Sequence, residues 1–432
     1  MSHPVIPTRE QPERWPVAET TDLLAPEVLA DPHRHYRELR EMGPAVWLPV
    51  HGVLAVVSDA EIRTVLKDRE RFLEVGATPP GDIGAKRWAR TVLSIGKQPV
   101  ARPSGNTQRP ADDVGQWMDA HAAKLVNEYV GKQEFDGVDL SQRFIADVVM
   151  RVTGAGEEAG HTAIRTMAAQ ESGGGDGAGS SLLGASAPRA TAMITHLCQA
   201  VSRENVAEGS WLDTLYREAD RGRIGQHTVV RLAAECVTTG IDTAIHGICT
   251  ALDALAARED LWADLRRRRI LGVDVVREAL RLDPLVPGAA RVAARDTDLG
   301  GIPVRVRDTV WLSHLAAGID PAKWGPYAQQ FVVPRAHNSD YLAYGSDPFS
   351  QVGQALGERA ADLLLDHLAF RCTRLEPAGA PERNLAIPAR SWASLPVRIT
   401  AHRGRVGGPR SVRTVGGPTG TGRRRGTGRA SI

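Results

Sequence analysis

The sequence predicts a mainly helical protein with a small β-sheet region, and three observations carry that reading. Apolar residues recur at intervals of three and four over residues 112–130, 140–152, 226–258 and 353–370, the rhythm of helices with one buried face. Short apolar segments broken by turn residues occupy 45–57 and 289–315, which is how strands read. With 42% hydrophobic and 24% charged residues in 432, the chain has the side chains for a sizeable core and is neither disordered throughout nor fibrous.

Taken in order, residues 31–42 follow a helical rhythm that Gly43-Pro44 stops. Ala45-Val46-Trp47-Leu48 and Val53-Leu54-Ala55-Val56-Val57 read as a hairpin across a Pro, a His and a Gly. Ser58-Asp59-Ala60-Glu61 resembles a helix start, with Ile62, Val65 and Leu66 as its apolar face. The pattern loosens between 78 and 109, and the Gly/Ser-rich stretch around Gly173-Gly174-Gly175 reads as a flexible loop. Residues 226–258 read as one helix long enough to cross the core. A further helix over 273–282 stops before Pro284, the segments of 289–315 form a small sheet, and a last strong helix covers 353–370.

Composition excludes several function classes. No run of about 18 apolar residues occurs, and the first 25 residues carry four prolines among charges, so neither a spanning helix nor a signal peptide is expected. Four cysteines, Cys198, Cys236, Cys249 and Cys372, form no C-x-x-C pair and stand near no His at ligand spacing. That speaks against zinc and against a disulfide framework, and for a cytoplasmic location. The last 30 residues hold eight arginines and no acid, so a +8 tail follows a body of −6. Rich in Gly, Pro, Thr and Ser, the tail is expected to be disordered. It lacks aromatic residues for base stacking, and nucleic acid is not the expected partner. The organisation is thus an N-terminal extension (1–21), one domain (22–402) and a tail (403–432).

Four signals stand in a fixed order. Thr239-Gly240-Ile241-Asp242-Thr243 lies in the long helix, where glycine permits a local distortion. Glu278-Ala279-Leu280-Arg281 puts an acid and a guanidinium on one helix face. Arg291-Val292-Ala293-Ala294-Arg295-Asp296 follows. Then come Ala316-Ala317-Gly318-Ile319-Asp320-Pro321, Phe331 with Arg335, and Leu342-Ala343-Tyr344-Gly345. This ordered set resembles the cytochrome P450 family of haem-thiolate monooxygenases, of the bacterial soluble type, over about 22–402. The resemblance implies the cytochrome P450 fold. It implies further that Asp242 and Thr243 match a proton-relaying acid and alcohol. Glu278, Arg281 and Arg335 match a framework that locks the core, and Arg291 matches a partner of a haem propionate. The Glu278-Arg281-Arg335 set also reads as a buried ion network that needs no haem.

The match fails where the family's haem loop should end in Cys-x-Gly. The segment reads Tyr344-Gly345-Ser346-Asp347-Pro348-Phe349-Ser350-Gln351-Val352-Gly353, with Gln351 in the cysteine position. A neutral amide is a poor substitute for a thiolate as ligand and as donor. Phe349 removes a basic residue, and Gly105 stands where a propionate-facing His belongs, leaving Arg109 as a remnant. Arg307 replaces a turn glycine. Gln351, Arg291 and Arg109 are therefore vestigial haem positions on this reading, and no cofactor is expected. Two functions follow from the resemblance. One is a haem-less auxiliary that stabilises and activates a partner glycosyltransferase in natural-product biosynthesis. The other is a haem-free enzyme in which Asp242, Thr243 and His246 do acid–base chemistry on a small-molecule intermediate, since Asp242 and His246 are four apart on one helix face. A haem-binding monooxygenase with an unusual ligand is a third.

Overall fold

The computed structural model describes residues 15–74, 110–156, 161, 201–223, 225, 226, 229, 241–345, 348–385 and 390–402. Two short helices, α1 (Pro26–Ala30) and α2 (Pro32–Met42), each begin on a proline, whose missing N–H costs nothing at a helix start. The expected hairpin forms as β1 (Ala45–Leu48) and β2 (Val53–Val56), and α3 (Asp59–Lys67) follows. After β3 (Phe72–Glu74), the chain is described again from α4 (Pro110–Val130), then β4 (Glu134–Asp136) and α5 (Gly137–Thr153). Helix α5 is capped at both ends: Asp136 accepts from the Val138 N–H, and Gly154, at φ +78°, donates to the Met150 carbonyl.

Next come α6 (Trp211–Asp220), α7 (Ile241–Ala257), α8 (Glu259–Arg266) and α9 (Gly272–Leu282). Helix α7 is the described part of the expected long helix, and most of its N-terminal half lies outside the described residues. A turn at Arg258 ends it, close to the expected end, and starts α8, a helix that the sequence reading did not give. Four strands then form the expected small sheet region: β5 (Gly288–Ala293), β6 (Thr297–Leu299), β7 (Ile302–Val304) and β8 (Thr309–Ser313). Helices α10 (His314–Gly318), α11 (Pro321–Trp324) and α12 (Pro348–Arg371) precede the closing strands β9 (Cys372–Pro377), β10 (Glu382–Leu385), β11 (Arg390–Ser394) and β12 (Pro396–Ala401).

Helix α7 lies at the centre, with α5, α9 and α12 packed around it and α4 against α12. Its buried residues Ile241, Ala244, Ile248, Leu252 and Leu255 follow helical spacing. The main sheet has the order β1-β2-β8-β5-β3, all pairs antiparallel except β2 with β8. It encloses a second apolar cluster with α1 and α2, centred on Tyr36, Trp311 and Ile319. One carboxylate ties the two halves: Asp320 accepts from the Ala322 N–H at the start of α11, and from the Asp59 N–H at the start of α3. Gly318 has no choice of residue, since a Cβ there would sit 1.9 Å from the Arg281 carbonyl oxygen. No described helix is long and apolar enough to cross a membrane. The glycine-rich stretch near 173 and the arginine-rich tail lie outside the described residues.

Candidate functional site

Asp242, Thr243 and His246 all sit in the first two turns of α7, Asp242 half-buried and the other two buried. The imidazole of His246 turns to the end of α9. Its Nε2 lies 2.8 Å from the Asp283 carbonyl oxygen, 3.6 Å from the Asp283 carboxylate and 3.4 Å from Thr250 Oγ1. A carbonyl only accepts, so Nε2 carries the proton and donates it, leaving the buried Nδ1 without a partner. The acid that meets His246 is therefore Asp283, which the sequence reading did not single out.

Asp283 is a junction. Arg383 Nη2 donates to one carboxylate oxygen, and Arg390 Nε lies 3.4 Å from the other. The Arg383 guanidinium rests 4.2 Å over the Trp392 ring, whose Nε1 donates to Thr250 Oγ1 at 3.0 Å. Arg390 Nη1 reaches the Leu29 carbonyl of α1. Burial alone raises a carboxyl pKa, yet the bond and charge of His246 and the charges of Arg383 and Arg390 outweigh it. Asp283 is held well below the usual carboxylate range.

Glu278, Arg281 and Arg335 come together as one buried network. Arg281 forks onto Glu278 with Nε to Oε2 at 2.7 Å and Nη2 to Oε1 at 2.8 Å. Its remaining donors go to the carbonyls of Gly318, Ala328 and Gln330. Arg335 Nε lies 3.0 Å from both Glu278 oxygens and spends its other nitrogens on Trp324, Tyr327 and Gln330. Glu278 also accepts the Val332 N–H at 2.9 Å. Burial acts to raise the Glu278 pKa, and the bonds to Arg281 and Arg335 bring it below its ordinary value. These bonds staple α9 to the segment 318–335.

The haem-loop segment is not a loop as far as Gly353. Helix α12 begins at Pro348, a residue preset for a first helical turn, so Gln351 lies within the helix. Tyr344 is buried with its hydroxyl unpartnered. The phenol fits between α7 and α12 because Gly357 has no side chain: a Cβ there would lie 2.6 Å from Tyr344 Oη and 2.9 Å from Ala244 Cβ. Arg291, on β5, is half-buried and donates to the Ala290 carbonyl at 2.9 Å. Arg109 lies outside the described residues.

Sequence reasoning missed His314. It is buried at the start of α10, with Nδ1 3.1 Å from the Val286 carbonyl and Nε2 without a partner. Its one signal is a histidine set in the run Trp311-Leu312-Ser313-His314-Leu315.

The fold is that of the cytochromes P450. The structure is similar to the Tepidiphilus thermophilus P450 heme domain, with a TM-score of 0.69 at 15% identity over 88% of this chain and 97% of that one. It is as similar to P450 OxyD, described as involved in the biosynthesis of vancomycin-type antibiotics, with a TM-score of 0.69 at 20% identity over 89% and 100% of the two chains. In sequence the chain is 25% identical over 392 residues to cytochrome p450 CYP199A2 of Rhodopseudomonas palustris, covering 88% of this chain and 93% of that protein. No protein-family model matches.

These comparisons correct the expectation of no cofactor. The relatives and solved neighbours are cytochromes P450, one of them a heme domain, and they point to haem rather than to none. The physical reason is that an axial thiolate is one bond among many: a haem is also held by apolar packing of its faces and by charges at its propionates. Toward that group the described donors divide. Arg291 would supply a positive charge to a propionate, as the resemblance implies, and the buried imidazole of His314 lies near that charge. At the iron, no described residue supplies a thiolate. Burial pushes the thiols of Cys249 and Cys372 up to about 12, and Cys249 is bonded to Ser141 Oγ at 3.5 Å. Cys198 and Cys236 lie outside the described residues.

Proposed function

We propose that this chain is a haem-binding protein of the cytochrome P450 fold that works without a cysteine ligand, as the auxiliary of a partner glycosyltransferase in natural-product biosynthesis. The observation that carries the reading is Gln351 in the place of the ligand cysteine, inside a fold whose framework network is complete. Haem ligated by thiolate supplies the electron density that favours O–O cleavage, and an amide does not supply it. What the chain's own residues then do is hold a shape. Glu278, Arg281 and Arg335 fix the segment 318–335, Asp283 holds Arg383 and Arg390 of the β10–β11 hairpin, and Arg390 reaches α1. The description of OxyD supports a place in antibiotic-type pathways.

The test has two arms. Expressed with haem precursor, the purified protein is expected to show a haem Soret band, while its reduced carbon monoxide adduct lacks the strongly red-shifted band of thiolate ligation. That shifted band would restore a monooxygenase reading, and absence of any Soret band would end the haem reading. In the second arm, co-expression with a glycosyltransferase encoded beside it is expected to raise that enzyme's soluble yield and turnover severalfold. No change in either would sink the auxiliary role.

A further inference from the structure

We propose that the recess between α8 and the edge strand β9 binds a phosphate ester bearing two negative charges. The inference stands independently of the haem reading. It starts from the run Leu265-Arg266-Arg267-Arg268-Arg269, which crowds four guanidinium groups at the end of α8. Like charges so close repel one another unless acids answer them. Two of the four are answered: Arg268 pairs with Asp366 at 3.3 Å, and Arg269 with Asp264 at 3.1 Å. Arg266 and Arg267 pair with no carboxylate among the described residues, and both line the recess.

The recess measures about 420 Å³, within the range of small-molecule sites. Across it stands the sheet. On β9, Arg374 and Glu376 alternate onto one face, and Glu376 is in register with Arg398 of β12. Arg374 Nη2 meets Glu376 Oε1 at 2.8 Å, and Arg398 Nε meets Glu134 Oε1 of β4 at 2.5 Å. Buried Trp262 and Leu375 give the recess an apolar part, and Trp262 is locked there by donating Nε1 to the Thr373 carbonyl at 3.2 Å. Glu259 is the other acid of the lining, so the four arginines exceed the acids by two charges. The Nε of Arg266 is sealed in protein without an acceptor. Packing rather than an acid therefore fixes that side chain, and its terminal nitrogens are left to a ligand. A guanidinium fork matches the oxygens of a phosphate, and a phosphate ester near neutral pH carries almost the two charges that are missing. Binding changes no covalent bond: the arginine N–H groups donate to phosphate oxygens.

A sugar phosphate and a nucleotide present the same group, so the experiment separates them. The full chain is titrated by calorimetry with glucose 1-phosphate and with AMP, both phosphate monoesters. Saturable binding of one ester per chain is expected, and the tighter of the two names the source. Arg267→Gln and Arg266→Gln should each weaken that binding about tenfold, through the loss of charge-assisted hydrogen bonds. Arg269→Gln removes an equal charge from the same run but away from the recess, and should change the affinity less than twofold. The arginine-rich tail is the same in every variant and cannot create a difference between them. Arg267 is exposed, so its variant carries the test if Arg266→Gln, at a half-buried position, does not fold. Succinate, a dicarboxylate, should bind at least tenfold more weakly than the better ester. Three results overturn the proposal: no saturable binding of either ester, equal losses in Arg267→Gln and Arg269→Gln, or succinate binding as tightly as the esters.

Discussion

Arg281→Ala is expected to destabilise the protein by about 3–5 kcal/mol, because it leaves the Glu278 carboxylate buried with half its counter-charge gone. Glu278 and Arg281 are each only 1% exposed. Arg335 would remain against Glu278, but the carbonyls of Gly318 and Ala328 would lose the Arg281 donors that meet them. A water cannot easily replace a fork of that shape in a site closed by Trp324, whose ring lies 5.2 Å from the Arg281 guanidinium. Urea denaturation followed by circular dichroism checks the figure, with the slope unchanged if the unfolded state is unaffected. A loss under 1 kcal/mol would mean that the network is not a framework. Arg281→Lys should fall between the two, since an ammonium cannot make the bidentate pair.

The second large effect is expected at Asp283. Asp283→Asn leaves Arg383 and Arg390 facing a neutral amide and should cost about 3 kcal/mol, at the lower end because Arg383 keeps some contact with water. The pH dependence has a definite sign. The pKa of Asp283 is lower in the fold than its ordinary 3.8. Its contribution is therefore fully present above that ordinary value and is lost as the pH falls below about 4 toward the folded value. The parent should accordingly lose stability steeply below pH 4, and Asp283→Asn should show a shallower decline. Parallel curves for the two proteins would remove Asp283 from the acid transition.

Which features were legible in the sequence follows from the range of the interactions that make them. The hairpin of β1 and β2, the helix α3, and the helices α4, α5 and α9 depend on local period and on caps such as Asp136 and Gly154, and their positions were readable within a few residues. The start of α12 was misplaced because Gly345-Ser346-Asp347-Pro348 reads as a turn, although proline equally opens a helix. Strands β9 to β12 were not found: segments such as Glu382–Leu385 and Arg390–Ser394 are short, charged and held by pairing rather than by alternation. The same limit applied to the site. The motif carrying Glu278 and Arg281 lies within one helix turn and could be read. Asp283, by contrast, acquires its role from Arg383 and Arg390, which stand 100 and 107 residues away. His246 could be seen to share a helix face with Asp242, but only the packed chain shows that it bonds Asp283.

The reach of Arg390 has a consequence for the making of the protein. Its guanidinium closes on the Leu29 carbonyl across 361 residues. At about 5–20 residues per second of synthesis, the first helix waits on the order of half a minute for that partner. During that interval the apolar face of α1 and α2, including Val28, Tyr36 and Leu39, can meet strands β1 and β2 but not β8, which supplies Trp311. A nascent chain halted before residue 309 therefore presents an open sheet edge on β2 and half of an apolar cluster. The ribosome-bound form should recruit chaperones until the final 120 or so residues emerge, and the domain closes from its C-terminal end backward onto its beginning.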